Sequence, residues 1–457
     1  MSKTKTVYVC TSCGHEESKW YGRCSRCGEW NTLEEVDKTP KSASLAKPSI
    51  SDRTPPKKLT DVQSSELTRY TTGNSELDRV LGGGVVKDSV VIVSGEPGAG
   101  KSTIILQASN SIALSGKRVL YISGEESEEQ IKGRADRILE GNIPDSIWIK
   151  SETCMNRIQE YVEEIKPDLL IVDSIQTIYL EEHLPSRAGG SVQTIECANA
   201  LISIAKKDKI AVFLVGHVNK DSEMAGVKTL EHMVDTVIYL EGDRRQQLRI
   251  MRSIKNRFGN TDEIGCFTME ENGLLPIDNL ADYFITKRDY LVNGVATTVS
   301  MEGSRPLIIE IESLVDRCAF GNPMRIAEGV NKQQLQVLTA ILEKRAGLPL
   351  GNKDVYVKVS GGIRLSEPAV NLGVIMAIAS SATNQAIDSR YVFIGEVGLT
   401  GEVKSVTQLQ KRLKELDRLG FKKAFIPKGS LKRKISLDNL KIVEIQNVKQ
   451  IIDMLFK

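Results

Sequence analysis

The sequence contains no uninterrupted apolar run long enough to span a bilayer, and its opening, "MSKTKTVYVC", lacks the apolar core a signal peptide needs. These absences predict a soluble, cytoplasmic protein with no membrane partner. An excess of one charge is missing too. The formal net charge is +2 over 457 residues, so no global field draws in nucleic acid or a lipid surface, and any basic surface must be local. No repeat of solenoid period is present. Nor do the cysteines read as a disulfide framework. Cys10, Cys13, Cys24 and Cys27 crowd into the opening segment, while Cys154, Cys197, Cys266 and Cys318 lie singly along the chain. That distribution fits a reducing compartment and one metal site.

A chain of 457 residues is too long for one hydrophobic core. Residues 1–30, dense in Cys, Gly and aromatics, read as a metal-binding finger. Residues 31–65, rich in Ser, Thr, Pro and Lys, predict a flexible tether. From 66 to 274, the runs "SVVIVSG", "KRVLYISG", "SIWIKS", "DLLIVDS" and "KIAVFLVGHV" alternate with amphipathic helical stretches. This is the texture of an α/β domain with a mostly parallel sheet covered by helices. Residues 275–457 carry a second mixed pattern.

The four crowded cysteines form C-x2-C-x10-C-x2-C. In each knuckle, "CTSCG" and "CSRCG", a Gly lets the backbone turn and aim N–H groups at sulfur. Four thiolates suit tetrahedral Zn²⁺ with no open position, which predicts a structural zinc ion. Metal binding, on the order of 10 kcal/mol or more, must then supply the fold of so small a segment. His15 is expected to be a bystander. Lys19, Arg23 and Arg26 serve either as nucleic-acid contacts or as solubilising charge.

"GEPGAGKS" matches G-x-x-x-x-G-K-[ST] between a strand-like run and a helical one, the setting in which the motif cradles phosphates. The candidate ATP-binding residues are Gly95, Glu96, Pro97, Gly98, Ala99, Gly100, Lys101, Ser102 and Thr103. Lys101 is expected to reach the β and γ phosphates, and Ser102 to ligate Mg²⁺ together with Asp173, which ends the apolar run "DLLIVDS". Hydrolysis also needs a group that orients water, and Glu125 and Glu126 follow the strand after the P-loop helix. His217, at the tip of "KIAVFLVGHV", reads either as a γ-phosphate sensor or as a buried, hydrogen-bonded histidine. Finally, "IKNRFGN" sets Lys255 and Arg257 one residue apart at the end of a strand-like run. Their side chains should share a face, where two like charges call for an anion between them.

The ordered set of four-Cys knuckles, "GEPGAGKST", "YISGEES", "LLIVDS", "GHVNKDSEMAG", "LEHMVDTVIYLEGD" and "KNRFG" resembles one family over nearly the whole chain, the bacterial RadA/Sms recombination proteins. The resemblance implies a RecA-like ATPase core related to DnaB helicases, using ATP and Mg²⁺. It implies a ring, taken to be hexameric, around single-stranded DNA, which drives branch migration of recombination intermediates alongside a RecA-class recombinase. In RecA/DnaB-type enzymes the catalytic Glu ends the strand after the P-loop helix, which selects Glu125. Lys255 and Arg257 would face the ATP of the adjacent protomer, with DNA phosphate as a second candidate anion. Arg187, Lys220 and Lys228, in loops after the Asp173 and His217 strands, are the candidate DNA contacts.

"SGGIRLSEPAVNLGVIMAIASS" and "IGEVGLTGEVKSVTQLQKRL" resemble the Lon protease domain, whose chemistry is a Ser/Lys dyad. Laid over that pattern, the nucleophile falls on Ala369 and the general base on Arg412, so both halves are missing. Ser366 and Lys411 lie nearby as a conceivable shifted dyad. A hexamerising scaffold is the better expectation, with Lys344, Arg345, Lys353 and Arg364 as a further DNA track. Two other readings stay in view: a KaiC-like regulatory or scaffold ATPase that does not act on DNA, and an ATP-dependent protease, which Ala369 and Arg412 oppose.

Overall fold

The computed structural model describes residues 5–38, 58–61, 67–184, 186–216, 225–242, 247–277, 279–318, 321–431 and 435–456. Two compact units divide the chain, Met1–Pro276 and Ile277–Lys457.

The first unit opens with a small antiparallel sheet of β1 (Lys5–Cys10), β2 (Glu16–Glu17) and β3 (Leu33–Lys38) in the order β2-β1-β3. The sequence expectation of a finger ending at residue 30 is corrected here. Strand β3 pairs with the whole of β1, from Lys5↔Lys38 to Cys10↔Leu33. The metal-binding segment therefore takes in residues assigned to the tether. Leu33 packs beside Cys10 and Cys24 as the apolar centre of this sheet.

A hairpin of β4 (Arg69–Tyr70) and β5 (Val85–Val86) flanks helix α1 (Ser75–Leu81). The Asn74 side chain accepts from the backbone N–H groups of Glu76 and Leu77 to start α1, and Gly82 at φ 79° ends it. The central sheet then uses β6 (Val90–Gly95), β7 (Val119–Ser123), β8 (Ile147–Ser151), β9 (Leu169–Asp173), β10 (Ala211–Val215), β11 (Thr236–Glu241), β12 (Leu248–Asn256), β13 (Ile264–Glu270) and β14 (Gly273–Pro276). Its order is β14-β13-β12-β11-β6-β10-β9-β7-β8. The strands from β11 through β8 run parallel, and β12, β13 and β14 extend the sheet antiparallel at one edge.

Every residue of β6, β7, β9 and β10 is buried, as a strand covered on both faces requires. Successive side chains enter opposite layers: Val91 and Val93 join a core with Ile104 and Ile105, whereas Val90 and Ile92 join one with Ile158 and Leu201. The helices on the sheet include α2 (Lys101–Leu114), α3 (Glu128–Leu139), α4 (Met155–Ile165), α5 (Ser191–Asp208) and α6 (Ala225–Met233). This strand order, with the P-loop after β6, is a RecA-like α/β core.

The second unit contains a seven-stranded mixed sheet. Its two longest strands, Val295–Glu302 and Arg305–Arg317, pair in full register, and the helix Asn371–Thr383 packs along them. Gly373 sits where an added Cβ would meet the Thr298 side chain at 2.6 Å, so the close helix–strand approach requires glycine there. Among the described residues, no helix is long and apolar enough to cross a membrane.

Candidate active site

The parallel register sets the ends of β6, β7, β9 and β10 side by side. Ser123 and Val215 both stand opposite Asp173, and Val215 stands opposite Val93. The P-loop leaves β6 at this edge. Gly95, Gly98 and Gly100 have φ of 148°, 80° and 108°, a region that side chains with a Cβ rarely enter. An added Cβ at Gly95 would also lie 2.3 Å from the Leu240 carbonyl. The loop therefore depends on glycine both for its path and for its seat on β11. Glu96, Pro97 and Gly98 are exposed, Ala99 is buried, and Ser102 and Thr103 are half-buried on the first turn of α2.

Lys101 is 4% exposed and its ammonium donates to the carbonyls of Gly95 (3.0 Å) and Glu96 (3.1 Å). Burial holds its pKa below the ordinary lysine value, and the nearby carboxylates of Asp173 and Glu125 oppose that shift. The two acids thus lie near Lys101. Asp173 accepts from the Tyr121 hydroxyl at 2.7 Å. Glu125 accepts from Ser174 Oγ at 2.6 Å. Its neighbour Glu126 forms an ion pair with Arg134, which leaves the two adjacent acids in different electrostatic settings.

Three contributors here were not anticipated. Tyr121 touches both Asp173 and Ser102, and burial followed by the Asp173 charge pushes its pKa well up. A tyrosine inside a fully buried strand is itself a signal, because its hydroxyl must find a partner. Ser174, fully buried beside Asp173, orients Glu125. Arg249, 4% exposed on β12, donates to the Ala99 carbonyl at 3.2 Å and so supports the loop from the antiparallel edge. Nothing local in the sequence marks that contact.

Lys255 lies near the end of β12 and Arg257 just beyond it, past a bulge: Val237 pairs with Lys255 and Ile238 with Ser253, leaving Ile254 unpaired and 54% exposed. The Lys255 ammonium donates to the carbonyls of Glu231 (2.8 Å) and His232 (3.1 Å) near the end of α6. Burial and then the Arg257 charge lower its pKa. Arg257 is ion-paired with Asp235 at 3.1 Å. Asp235 in turn bonds to Val90, the first residue of β6. At about 3.3 Å per residue, the length of β6 (Val90–Gly95) puts roughly 16 Å between that end and the P-loop. In its own chain, the cation pair therefore lies at the opposite end of the strand from the phosphate cradle.

Of the candidate DNA contacts, Arg187 is exposed, and its backbone N–H donates to the Thr11 carbonyl of the metal-binding segment at 3.4 Å. His217 and Lys220 lie outside the described residues, and of Lys228 only the backbone, within α6, is described.

The four sulfurs of Cys10, Cys13, Cys24 and Cys27 lie within 4.8 Å of one another, with Cys10–Cys27 and Cys13–Cys24 at 3.6 Å. A tetrahedron with zinc–sulfur bonds of about 2.3 Å has edges of about 3.8 Å, so the set fits the ion. Gly14 and Gly28 follow the knuckles at φ 69° and 76°, and each N–H closes its turn onto the carbonyl of the first Cys. His15 is 3.3 Å from Glu17 and stands apart from the sulfur set.

In the second unit, Ala369 is buried and the Arg412 side chain has no exposed surface. Arg412 donates to the carbonyls of Val299 (2.6 Å) and Thr407 (3.1 Å) and forms a two-oxygen pair with Glu367. The position that aligns with a general base is thus a structural cation. Ser366 and Lys411 are both exposed.

Three family models match parts of the chain. Residues 54–223 match the AAA domain model, residues 8–35 a rubredoxin metal binding domain, and residues 338–457 the Lon protease (S16) C-terminal proteolytic domain. The DNA repair protein RadA of Bacillus subtilis is 44% identical over 98% of both chains. That of Listeria monocytogenes is 44% identical over 94% of this chain and 93% of its own, and that of Streptococcus pyogenes serotype M1 is 42% identical over 100% of both. A crystal structure of the RadB recombinase matches 46% of this chain and 99% of its own at 23% identity with a TM-score of 0.37, so the core assignment rests on strand order and not on that likeness. With a RecA-like ATPase core, a four-cysteine zinc ribbon and a Lon-like second unit in one order and over one length, the chain belongs to the family of the DNA repair protein RadA.

Proposed function

We propose that this chain is a DNA-dependent ATPase that works as a hexameric ring on single-stranded DNA and drives branch migration of recombination intermediates, alongside a RecA-class recombinase. The observation that carries the reading is the separation of parts. Lys101, Glu125 and Asp173 gather at one end of the sheet, while Lys255 and Arg257 are anchored at the other, through Asp235 and the end of α6. A pair of cations so far from its own phosphates is useful to an ATPase when a neighbouring subunit presents its nucleotide there.

In this mechanism the P-loop amides and Lys101 hold the β and γ phosphates, and Ser102 and Asp173 would hold Mg²⁺, with Tyr121 fixing the carboxylate. When bound there, Mg²⁺ would supply neutralisation of phosphate charge. Glu125, oriented by Ser174, takes the water proton. Lys255 and Arg257 of the adjacent subunit stabilise the charge that develops on the transferred phosphoryl group, an effect of about 10³ to 10⁵ in turnover for such fingers. Arg187, Lys220 and Lys228 are the proposed contacts to DNA phosphates, and with few cations per subunit, affinity comes from several subunits together.

The test is ATP turnover with and without single-stranded oligonucleotide at rising salt. Stimulation by DNA that fades as salt rises is expected. Turnover indifferent to DNA would favour the regulatory or scaffold ATPase instead.

A further inference from the structure

We propose that Asp235 is the positioning residue of the Arg257 finger; this deepens the reading in which that arginine acts on a neighbour's nucleotide. Asp235 is 4% exposed, between the end of α6 and the start of β11. It holds Arg257 at two points. Its backbone carbonyl accepts from the Arg257 N–H at 3.1 Å, and its Oδ1 accepts from Arg257 Nη1 at 3.1 Å. Its second oxygen, Oδ2, accepts from the Val90 N–H at 3.1 Å and from the Lys206 ammonium at 3.0 Å. The carboxylate is thus fixed by the first residue of the P-loop strand on one oxygen while it aims the arginine with the other.

The arrangement orients the guanidinium without consuming it. Arginine offers five N–H donors in a planar fork. The ion pair with Asp235 uses Nη1, and 52% of the Arg257 side chain stays exposed. A phosphate arriving from outside the chain can meet the remaining donors without breaking the pair. A long side chain held this way has already given up much of its rotamer freedom, so less entropy is lost when it engages phosphate. The same carboxylate rigidly joins the finger of one subunit to the base of the strand that carries that subunit's own P-loop.

The experiment mixes full-length subunits before assembly and reads turnover per intact P-loop. Asp235→Asn keeps the shape and one oxygen acceptor but loses the charge. Its homogeneous assemblies are expected to lose about tenfold or more in kcat, within the 10³ to 10⁵ that a finger supplies, with little change in KM. Subunits carrying Lys101→Ala cannot turn over ATP but retain an intact finger. Adding them should restore kcat at Asp235→Asn sites, because the damaged function is the one a neighbour provides. Loss of kcat without rescue would assign Asp235 to its own P-loop strand and overturn the proposal, as would an unchanged kcat. Arg257→Ala mixed in the same way separates the two claims. If its turnover is not rescued, the finger reading falls; if it is rescued and Asp235→Asn is not, only the positioning role falls. Should Asp235→Asn lose its thermal transition, Asp235→Glu, which keeps the charge and shifts the carboxylate, replaces it in the mixture with the same rescue expected and its absence decisive.

Discussion

Tyr121 and Lys101 illustrate how chemistry at the site is held by buried polar groups. A hydroxyl bonded to a carboxylate contributes about 1.5–3 kcal/mol. Tyr121→Phe should therefore lower turnover about tenfold or more, raise the Mg²⁺ concentration needed for half-maximal rate, and lower the thermal transition of the core without abolishing it; a magnesium titration of ATPase activity together with a melting curve checks this. Lys101→Ala should abolish turnover, measured in the same assay, and unchanged turnover would remove the P-loop assignment. The loop itself was legible in the sequence because its glycines and lysine are contiguous and their spacing is the mechanism. Only the family resemblance singles out Glu125 from Glu126, and the different settings of the two acids depend on Ser174 and Arg134, partners that spacing does not reveal. The Arg249 support of Ala99 joins residues 150 apart in sequence and leaves no local trace.

Elements behave according to how much apolar surface they carry. The zinc ribbon has a core of Cys10, Cys24 and Leu33 with Tyr8 and Cys13 packed against it, too little to fold without metal. Cys10→Ser should release zinc and unfold the ribbon without moving the main unfolding transition, as read by a zinc-release dye together with calorimetry. The knuckles were plain from spacing, but β3 was not. "LEEVDK" has the charge of a solvated linker, and becomes a strand only because β1 offers it a complete row of backbone partners. In the second unit, the Arg412–Glu367 pair explains why a basic residue persists where a peptidase fold keeps its general base. Removing one partner of a buried pair costs about 3–5 kcal/mol, so Glu367→Ala should lower the stability of this unit by that order in denaturant titration. Casein should remain intact with the wild-type protein and ATP.

At the scale of the whole molecule, a chain of formal net charge +2 can meet phosphate only through local placement of its cations. In sequence, Lys255 and Arg257 are a like-charge pair that calls for an anion, which the family resemblance supplies as a neighbour's ATP or DNA phosphate. In the fold they are anchored by α6 and Asp235 at the end of the sheet away from their own P-loop. Alternation of strands and helices made the α/β core legible, since burial on both faces leaves a continuous apolar run. The bulge at Ile254 and the anchor at Asp235 were not legible, because both are set by pairing between strands. The central claim is that one chain holds the nucleotide and its neighbour completes the active site. Turnover per subunit, followed by dilution through the range where sedimentation shows the assembly dissociating, tests it most directly. A fall of at least about 10³-fold in the monomer is predicted from the contribution of a trans finger; full-rate hydrolysis by a demonstrated monomer would contradict it.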